Sequence, residues 1–68
     1  MIRTDELLGI IAKNHKSQTD VAKAIGVTPK TFYDKMKRGV FGSDEIDVMI
    51  DYLNIDNPID IFFAKEVS

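Results

Sequence analysis

Few side chains in this sequence belong to the types that most often do chemistry. His15 is the only histidine among the 68 residues and there is no cysteine, so the sequence predicts no zinc site of the usual kind, which needs several nitrogen or sulfur ligands. Four carboxylates lie close together, at Asp44, Glu45, Asp47 and Asp51, but without the glycine-bearing loop of a calcium-binding hand. Phosphate-cradling glycine loops and nucleophile motifs are also missing. We therefore expect no enzyme, no metal, no cofactor and no small-molecule ligand.

The charged residues divide the chain into two unlike halves. Residues 1–38 carry eight basic and four acidic side chains, a balance of +4, whereas residues 39–68 carry one basic and seven acidic, a balance of −6. Lys and Arg supply most of the non-specific affinity of proteins for nucleic acid by neutralising phosphates. The division is typical of a protein that meets a polyanion with one face and water or a basic partner with the other. A merely solvated acidic helix is the alternative for the second half.

Local signals predict where the first two helices begin and end. Thr4 with two following acidic residues is typical of an N-cap, and the first helix is expected over about residues 5–14. Ser17 and Asp20 have the spacing of a capping box, in which each side chain accepts a hydrogen bond from the other residue's backbone. Gly26 can adopt the left-handed conformation that ends a helix. The second helix is therefore short and ends at Gly26.

Similar signals predict three more helices. Thr28 followed by Pro29 is a cap followed by proline at the first helical position, and Gly39 ends that third helix. A fourth helix follows Gly42-Ser43, and Asn57-Pro58 begins a short fifth one. No segment alternates apolar and polar residues long enough for a strand. We expect one all-α domain over residues 1–68, a compact bundle of five short helices.

Apolar residues at helical spacing predict which side of each helix faces the core. The expected inner positions are Leu7, Leu8 and Ile11; Val21, Ala22 and Ile25; Phe32 and Met36; Ile46, Met49, Ile50 and Leu53; and Ile59, Phe62 and Phe63. Core packing is the first interpretation of Phe62 and Phe63. A dimer contact, or a division of these roles with Phe41 and Tyr52, is the alternative.

The most informative segment runs from Gln18 to Phe32, where two short helices meet at a glycine. Ala22 is small where the helices must approach closely, and Gly26 permits a sharp turn. With Val27 in register, this segment resembles the helix-turn-helix of the Cro and phage-repressor family. The resemblance covers most of the chain and implies a lambda-repressor-like fold whose third helix enters the major groove of DNA.

The resemblance also implies which residues contact the sugar-phosphate backbone. Gln18 and Thr28 correspond to positions that fix the domain on phosphates, and Lys16 with Lys37 or Arg38 would add charge at the edges. Such contacts set the position of the protein on the duplex and carry no sequence information.

Base readout is expected from the outer face of the third helix, at Lys30, Thr31, Tyr33 and Asp34. Lysine suits guanine acceptors, threonine a thymine methyl group and aspartate a cytosine amino group. Pro29 departs from the family pattern because recognition helices seldom begin with proline, and an aliphatic residue is common where Phe32 stands. For each of these residues the alternative is a solvated side chain, or for Tyr33 a position beside the core.

The resemblance implies a DNA-binding transcription regulator of a phage genetic switch, acting on double-stranded operator DNA as a homodimer or cooperatively. A second hypothesis is an antirepressor that binds a basic repressor protein and alters its hold on DNA, which the acidic half and Pro29 favour. A structural or toxin-neutralising domain is a third. The sequence has no long apolar run and no leader pattern, so a cytoplasmic protein of a bacterial host with no membrane contact is expected.

Overall fold

Residues 2–63 are described by a computed structural model and form five α-helices joined by short connections. The helices are α1 (Thr4–Lys13), α2 (Gln18–Ile25), α3 (Pro29–Arg38), α4 (Ser43–Tyr52) and α5 (Pro58–Phe62). No β-strand occurs within residues 2–63. The predicted all-α class and the five short helices are thereby confirmed.

The ends of α2 follow the signals in its sequence. Asp20 N donates to Ser17 Oγ at 3.1 Å and Ser17 N donates to Asp20 Oδ2 at 2.8 Å, which confirms the capping box. The backbone and side-chain hydrogen bonds from Ser17 lower the pKa of the Asp20 carboxyl, because they favour its ionised form. At the other end Gly26 adopts φ 81°, so α2 ends in the left-handed conformation that glycine accommodates best.

The cap predicted at Thr4 is wrong: helix α1 begins with Thr4 inside it and Arg3 as its N-cap, and no side chain caps it. Asn57 is the N-cap of α5 and Pro58 follows at the first helical position, as predicted, but the Asn57 side chain accepts no capping hydrogen bond. These two helix starts are instead held by backbone contacts and packing: Arg3 N donates to Ile61 O at 2.7 Å, which joins the start of the chain to α5.

The core is formed on the inner faces of all five helices, and α2 lies between α3 and α4. The side chains with the least exposed surface are Phe32, Leu7, Met49, Leu53, Ile61 and Val21. A hydrogen bond also joins the end of α1 to the end of α4: Asn14 Nδ2 donates to Leu53 O at 3.1 Å. The buried faces predicted for α2 and α3 are confirmed at Val21, Ala22, Phe32 and Met36.

Three expected core positions lie at the surface instead. Leu8 is 41% exposed, Ile59 is 71% exposed and Phe63 is 56% exposed, whereas Phe62 and Ile61 are buried. Helix α5 has only five residues, and its apolar residues allow more than one choice of inner face. In the observed inner face, Ile61 takes the place of Ile59 in the core, and the backbone of Ile61 is hydrogen-bonded to that of Arg3.

Within the part of the chain described, no helix has both the length and the apolar character needed to cross a membrane.

Alanine is expected to have opposite effects at two glycines where a new Cβ would meet nothing within 4 Å. Gly26→Ala should lower the free energy of unfolding by about 1–2 kcal/mol, because φ 81° is unfavourable for a residue with a Cβ. Gly9→Ala, within α1, should raise it by about 0.5–1 kcal/mol, since alanine loses less backbone entropy in a helix. Urea denaturation of both variants measures the two changes. Equal effects of the two substitutions would contradict the role assigned to Gly26.

Candidate nucleic-acid interface

The start of α3 is fixed by its cap. Thr28 has extended backbone angles, its side chain accepts a hydrogen bond from Thr31 N at 3.2 Å, and Pro29 follows at the first helical position. Thr28 Oγ1 also donates to Thr31 Oγ1 at 2.9 Å. The two threonine hydroxyls are therefore joined to each other and to the backbone on the first turn of α3.

Two buried residues hold α3 against the domain and leave the rest of its surface outside. Phe32 and Met36 are buried one turn apart. The residues predicted to contact DNA from this helix are all exposed: Pro29, Lys30, Thr31, Tyr33, Asp34, Lys37 and Arg38. Because the buried pair fixes the rotation of α3 about its axis, the exposed set is presented as one rigid surface.

Tyr33 and Gln18 come together although they lie on different helices. Tyr33 is 49% exposed and its ring meets the Phe32 ring edge-on, with 6.5 Å between centroids. It lines a shallow groove together with Gln18 of α2, Lys16 of the preceding connection and Leu8 of α1. The tyrosine therefore flanks the core with one edge of its ring and leaves half of its surface exposed in this groove.

The positive side chains of α3 are available to an anion. Among the described residues no carboxylate lies within ion-pair distance of Lys30, Lys37 or Arg38. Arg38 and Asp34 share a second depression with Thr31 and Val40, so the one acidic residue of α3 lies on the Arg38 side. The outer surface of α3 consequently remains net positive, with three basic side chains against one acidic.

Lys16 contacts an aromatic ring of another helix. Its Nζ lies 5.1 Å from the centroid of the Tyr52 ring on α4, a distance at which an ammonium group is attracted to the face of an aromatic ring. Lys16 also lines the groove that contains Gln18 and Tyr33. Lys16 therefore lies between this groove and Tyr52 of α4.

An ion pair that the sequence analysis missed connects α3 to α4. Lys35 Nζ lies 3.1 Å from Glu45 Oε1, and both side chains are partly buried. The same carboxylate oxygen accepts a hydrogen bond from Gly42 N at 2.8 Å at the start of α4. Burial alone would raise the pKa of Glu45, but the Gly42 hydrogen bond and Lys35 outweigh it and the pKa is lowered. Glu45 thus joins Lys35 of α3 to the first turn of α4.

The Lys35–Glu45 pair is expected to make stability depend on pH in the acid range. Because the pKa of Glu45 is lower in the folded chain than its ordinary value of 4.5, its stabilising effect is present above 4.5 and is lost as the pH falls through the lowered value. Glu45→Gln should cost about 1 kcal/mol near neutral pH and should flatten this acid dependence. Urea denaturation over a pH series measures both effects. Asp44→Asn is the matched control, and an equal flattening by that variant would contradict the assignment.

No group of three histidine, cysteine, aspartate or glutamate residues able to hold a metal ion is present in residues 2–63. His15 adopts φ 58° just after α1 and is exposed. It lies in the turn between α1 and α2 and contributes to neither groove lining described above.

Comparison with known proteins adds nothing to these observations. No protein-family model matches the sequence, and neither the curated proteins nor the solved structures contain a significant match.

Proposed function

We propose that the chain is a DNA-binding transcription regulator in which α2 and α3 form a helix-turn-helix of the lambda-repressor-like type, with α3 as the recognition helix. The observation that carries the proposal is the outer surface of α3. It presents Lys30, Lys37 and Arg38 without a described carboxylate within ion-pair distance, on a helix fixed by the buried Phe32 and Met36. A rigid helix with a positive outer face fits the width of the major groove.

The turn between the two helices supports the same proposal. Gly26 ends α2 in the left-handed conformation, and Val27 N donates to Ala22 O at 2.9 Å before Thr28 caps α3. The connection is therefore short and internally hydrogen-bonded. It would hold α2 across the phosphate backbone while α3 lies in the groove.

The roles of the exposed residues follow from the chemistry of DNA. Lys30 and Thr31 on the first turn of α3 would reach base edges, with Tyr33 one turn further along. Gln18, in the same groove as Tyr33, would donate to a phosphate, and Lys37 and Arg38 would neutralise phosphates at the other end. If two copies bind, their half-sites should lie about one helical turn, roughly 34 Å, apart.

Titration with duplex DNA tests the proposal. Purified chain is mixed with a pool of fluorescent duplexes of randomised sequence, binding is measured by anisotropy at several salt concentrations, and bound duplexes are sequenced. We expect binding that weakens steeply with salt, and the slope of log affinity against log salt should fall by about 0.9 for each phosphate contact removed. Lys37→Ala with Arg38→Ala should reduce this slope, whereas Lys13→Ala, on α1, should leave it unchanged. Undetectable binding at low salt would refute the function.

A further inference from the structure

The acidic half of the chain is also the half that exposes most apolar surface. Seven large hydrophobic side chains are exposed among the described residues, and five of them lie beyond residue 39: Val40, Val48, Tyr52, Ile59 and Phe63. Exposed apolar side chains would not contribute to an acidic surface whose only role is to keep the protein hydrated. Apolar side chains with a charged surround are typical of protein interfaces.

The strongest concentration is on α5 and on Phe63, the residue that follows it. Ile59 and Phe63 lie four residues apart on successive turns, and Phe63 N donates to Ile59 O at 3.0 Å. They are 71% and 56% exposed, while Ile61 and Phe62 between them are 0% and 3% exposed. Helix α5 therefore fills the core with Ile61 and Phe62, while Ile59 and the adjoining Phe63 remain exposed.

The surroundings of this pair are negative. Asp60 follows Ile59 directly and Asp56 precedes the helix, both exposed. Lys13 lines the same depression as Asp56, but no described cation lies within ion-pair distance of either carboxylate. Residues 39–63 contain no basic side chain. Arg3, whose backbone contacts α5, has its guanidinium 3.5 Å from Glu6. We name Ile59, Asp60 and Phe63 the outer α5 patch.

We propose that the outer α5 patch docks a basic protein surface, one that presents a hydrophobic contact surrounded by lysine or arginine. Charge complementarity selects this occupant. Anionic lipid and nucleic acid are repelled by Asp56 and Asp60, and a two-fold contact between copies of the patch would bring like charges together. Aromatic and aliphatic side chains at the centre supply affinity, and the carboxylates supply orientation and speed of encounter. The surface acts independently of DNA binding by α3.

A defined peptide pair tests this surface without knowledge of the natural partner. Isotope-labelled chain is titrated with a helical peptide of leucine and lysine, and separately with the peptide in which glutamate replaces every lysine at unchanged leucines. NMR amide shifts locate the contact. We expect the lysine peptide to shift the signals of residues 59–63, and the glutamate peptide to leave them unmoved.

Four variants separate the patch from acidity in general. Phe63→Ser and Asp60→Lys should each weaken binding of the lysine peptide about tenfold. Val40→Ser, at another exposed apolar residue, and Asp44→Lys, at another exposed carboxylate, should change it less than twofold. Circular dichroism confirms that each variant is folded. All four altered side chains are exposed, so folding should persist.

Three results would overturn the proposal. The first is binding of neither peptide. The second is binding of the lysine peptide that Asp44→Lys weakens as much as Asp60→Lys does. The peptide would then respond to the negative charge of the protein in general and not to the outer α5 patch. The third is self-association in sedimentation that Phe63→Ser abolishes, since a second copy would then be the occupant. None of these readouts involves DNA, so failure here and failure of the proposed DNA binding are distinguished.

Discussion

Phe32→Ala is expected to lower the free energy of unfolding by about 3–5 kcal/mol. The Phe32 side chain is completely buried, and its ring lies 5.6 Å from that of Phe41 and 6.5 Å from that of Tyr33, measured between centroids. Alanine would leave a cavity between α3 and the residues that follow it. A domain of this size has a total stability of only about 3–10 kcal/mol, so a large part of it depends on this one ring. Urea denaturation followed by circular dichroism measures the loss.

Two comparisons make the Phe32 result specific. Phe32→Leu retains most of the buried volume and should cost less than about 1.5 kcal/mol. Tyr33→Ala removes a neighbouring aromatic ring that is half exposed, and it should cost less than Phe32→Ala because it leaves no buried cavity. If Phe32→Ala cost no more than Tyr33→Ala, the ring would not be the anchor of α3.

The parts of the fold that depend on nearby residues were predictable from the sequence. The capping box of Ser17 and Asp20, the left-handed Gly26 and the Thr28 cap each involve groups within four residues of one another. Their energies are decided by backbone geometry and one or two hydrogen bonds, which do not change with the tertiary structure. The buried face of α3 was predictable for a similar reason, since only Phe32 and Met36 are apolar at helical spacing there.

The choice of inner face on α5 was not predictable in this way. The segment contains Ile59, Ile61, Phe62 and Phe63, and a helix of five residues can bury more than one combination of them. The combinations differ in their contact with the start of the chain, where Arg3 N donates a hydrogen bond to Ile61 O. That contact joins residues far apart in sequence. Helical periodicity therefore could not exclude Ile59 from the core.

The features of the candidate site were likewise predictable only where they depend on residues close together in sequence. The sequence predicted which α3 residues would be exposed, because exposure follows from the buried pair. It did not predict that Lys35 pairs with Glu45 or that Lys16 lies over the Tyr52 ring, since both contacts join separate helices or connections. The one available signal was Glu45 three residues after Gly42, a spacing that favours a carboxylate at a helix start.

These two missed contacts connect the basic half of the chain to the acidic half. Glu45 is held by Lys35 and by the backbone of Gly42, so one carboxylate of α4 is neutralised at the junction. The other α4 carboxylates, Asp44, Asp47 and Asp51, are exposed. Among the described residues the opposed charges of the two halves therefore meet in one ion pair, between Lys35 and Glu45, while the other α4 carboxylates remain exposed.

Lys30→Glu is expected to weaken DNA binding about 100-fold, the largest effect predicted for any exposed residue. Lys30 is exposed on the first turn of α3, immediately after Pro29. In the proposed complex it lies against base edges in the major groove, where loss of one good contact costs about 1–3 kcal/mol. Charge reversal adds repulsion from the phosphates to that loss. Anisotropy titration against the best selected duplex measures it.

The matched control is Lys13→Glu, which makes the same charge change on α1, beside the connection between α4 and α5. It should weaken binding less than tenfold, through the net charge alone. Tyr33→Ala should also weaken binding to the selected duplex while leaving the salt slope unchanged, because a contact to a base releases no counterion. If Lys13→Glu weakened binding as much as Lys30→Glu, the interaction would depend on overall charge. Helix α3 would then no longer be the recognition helix.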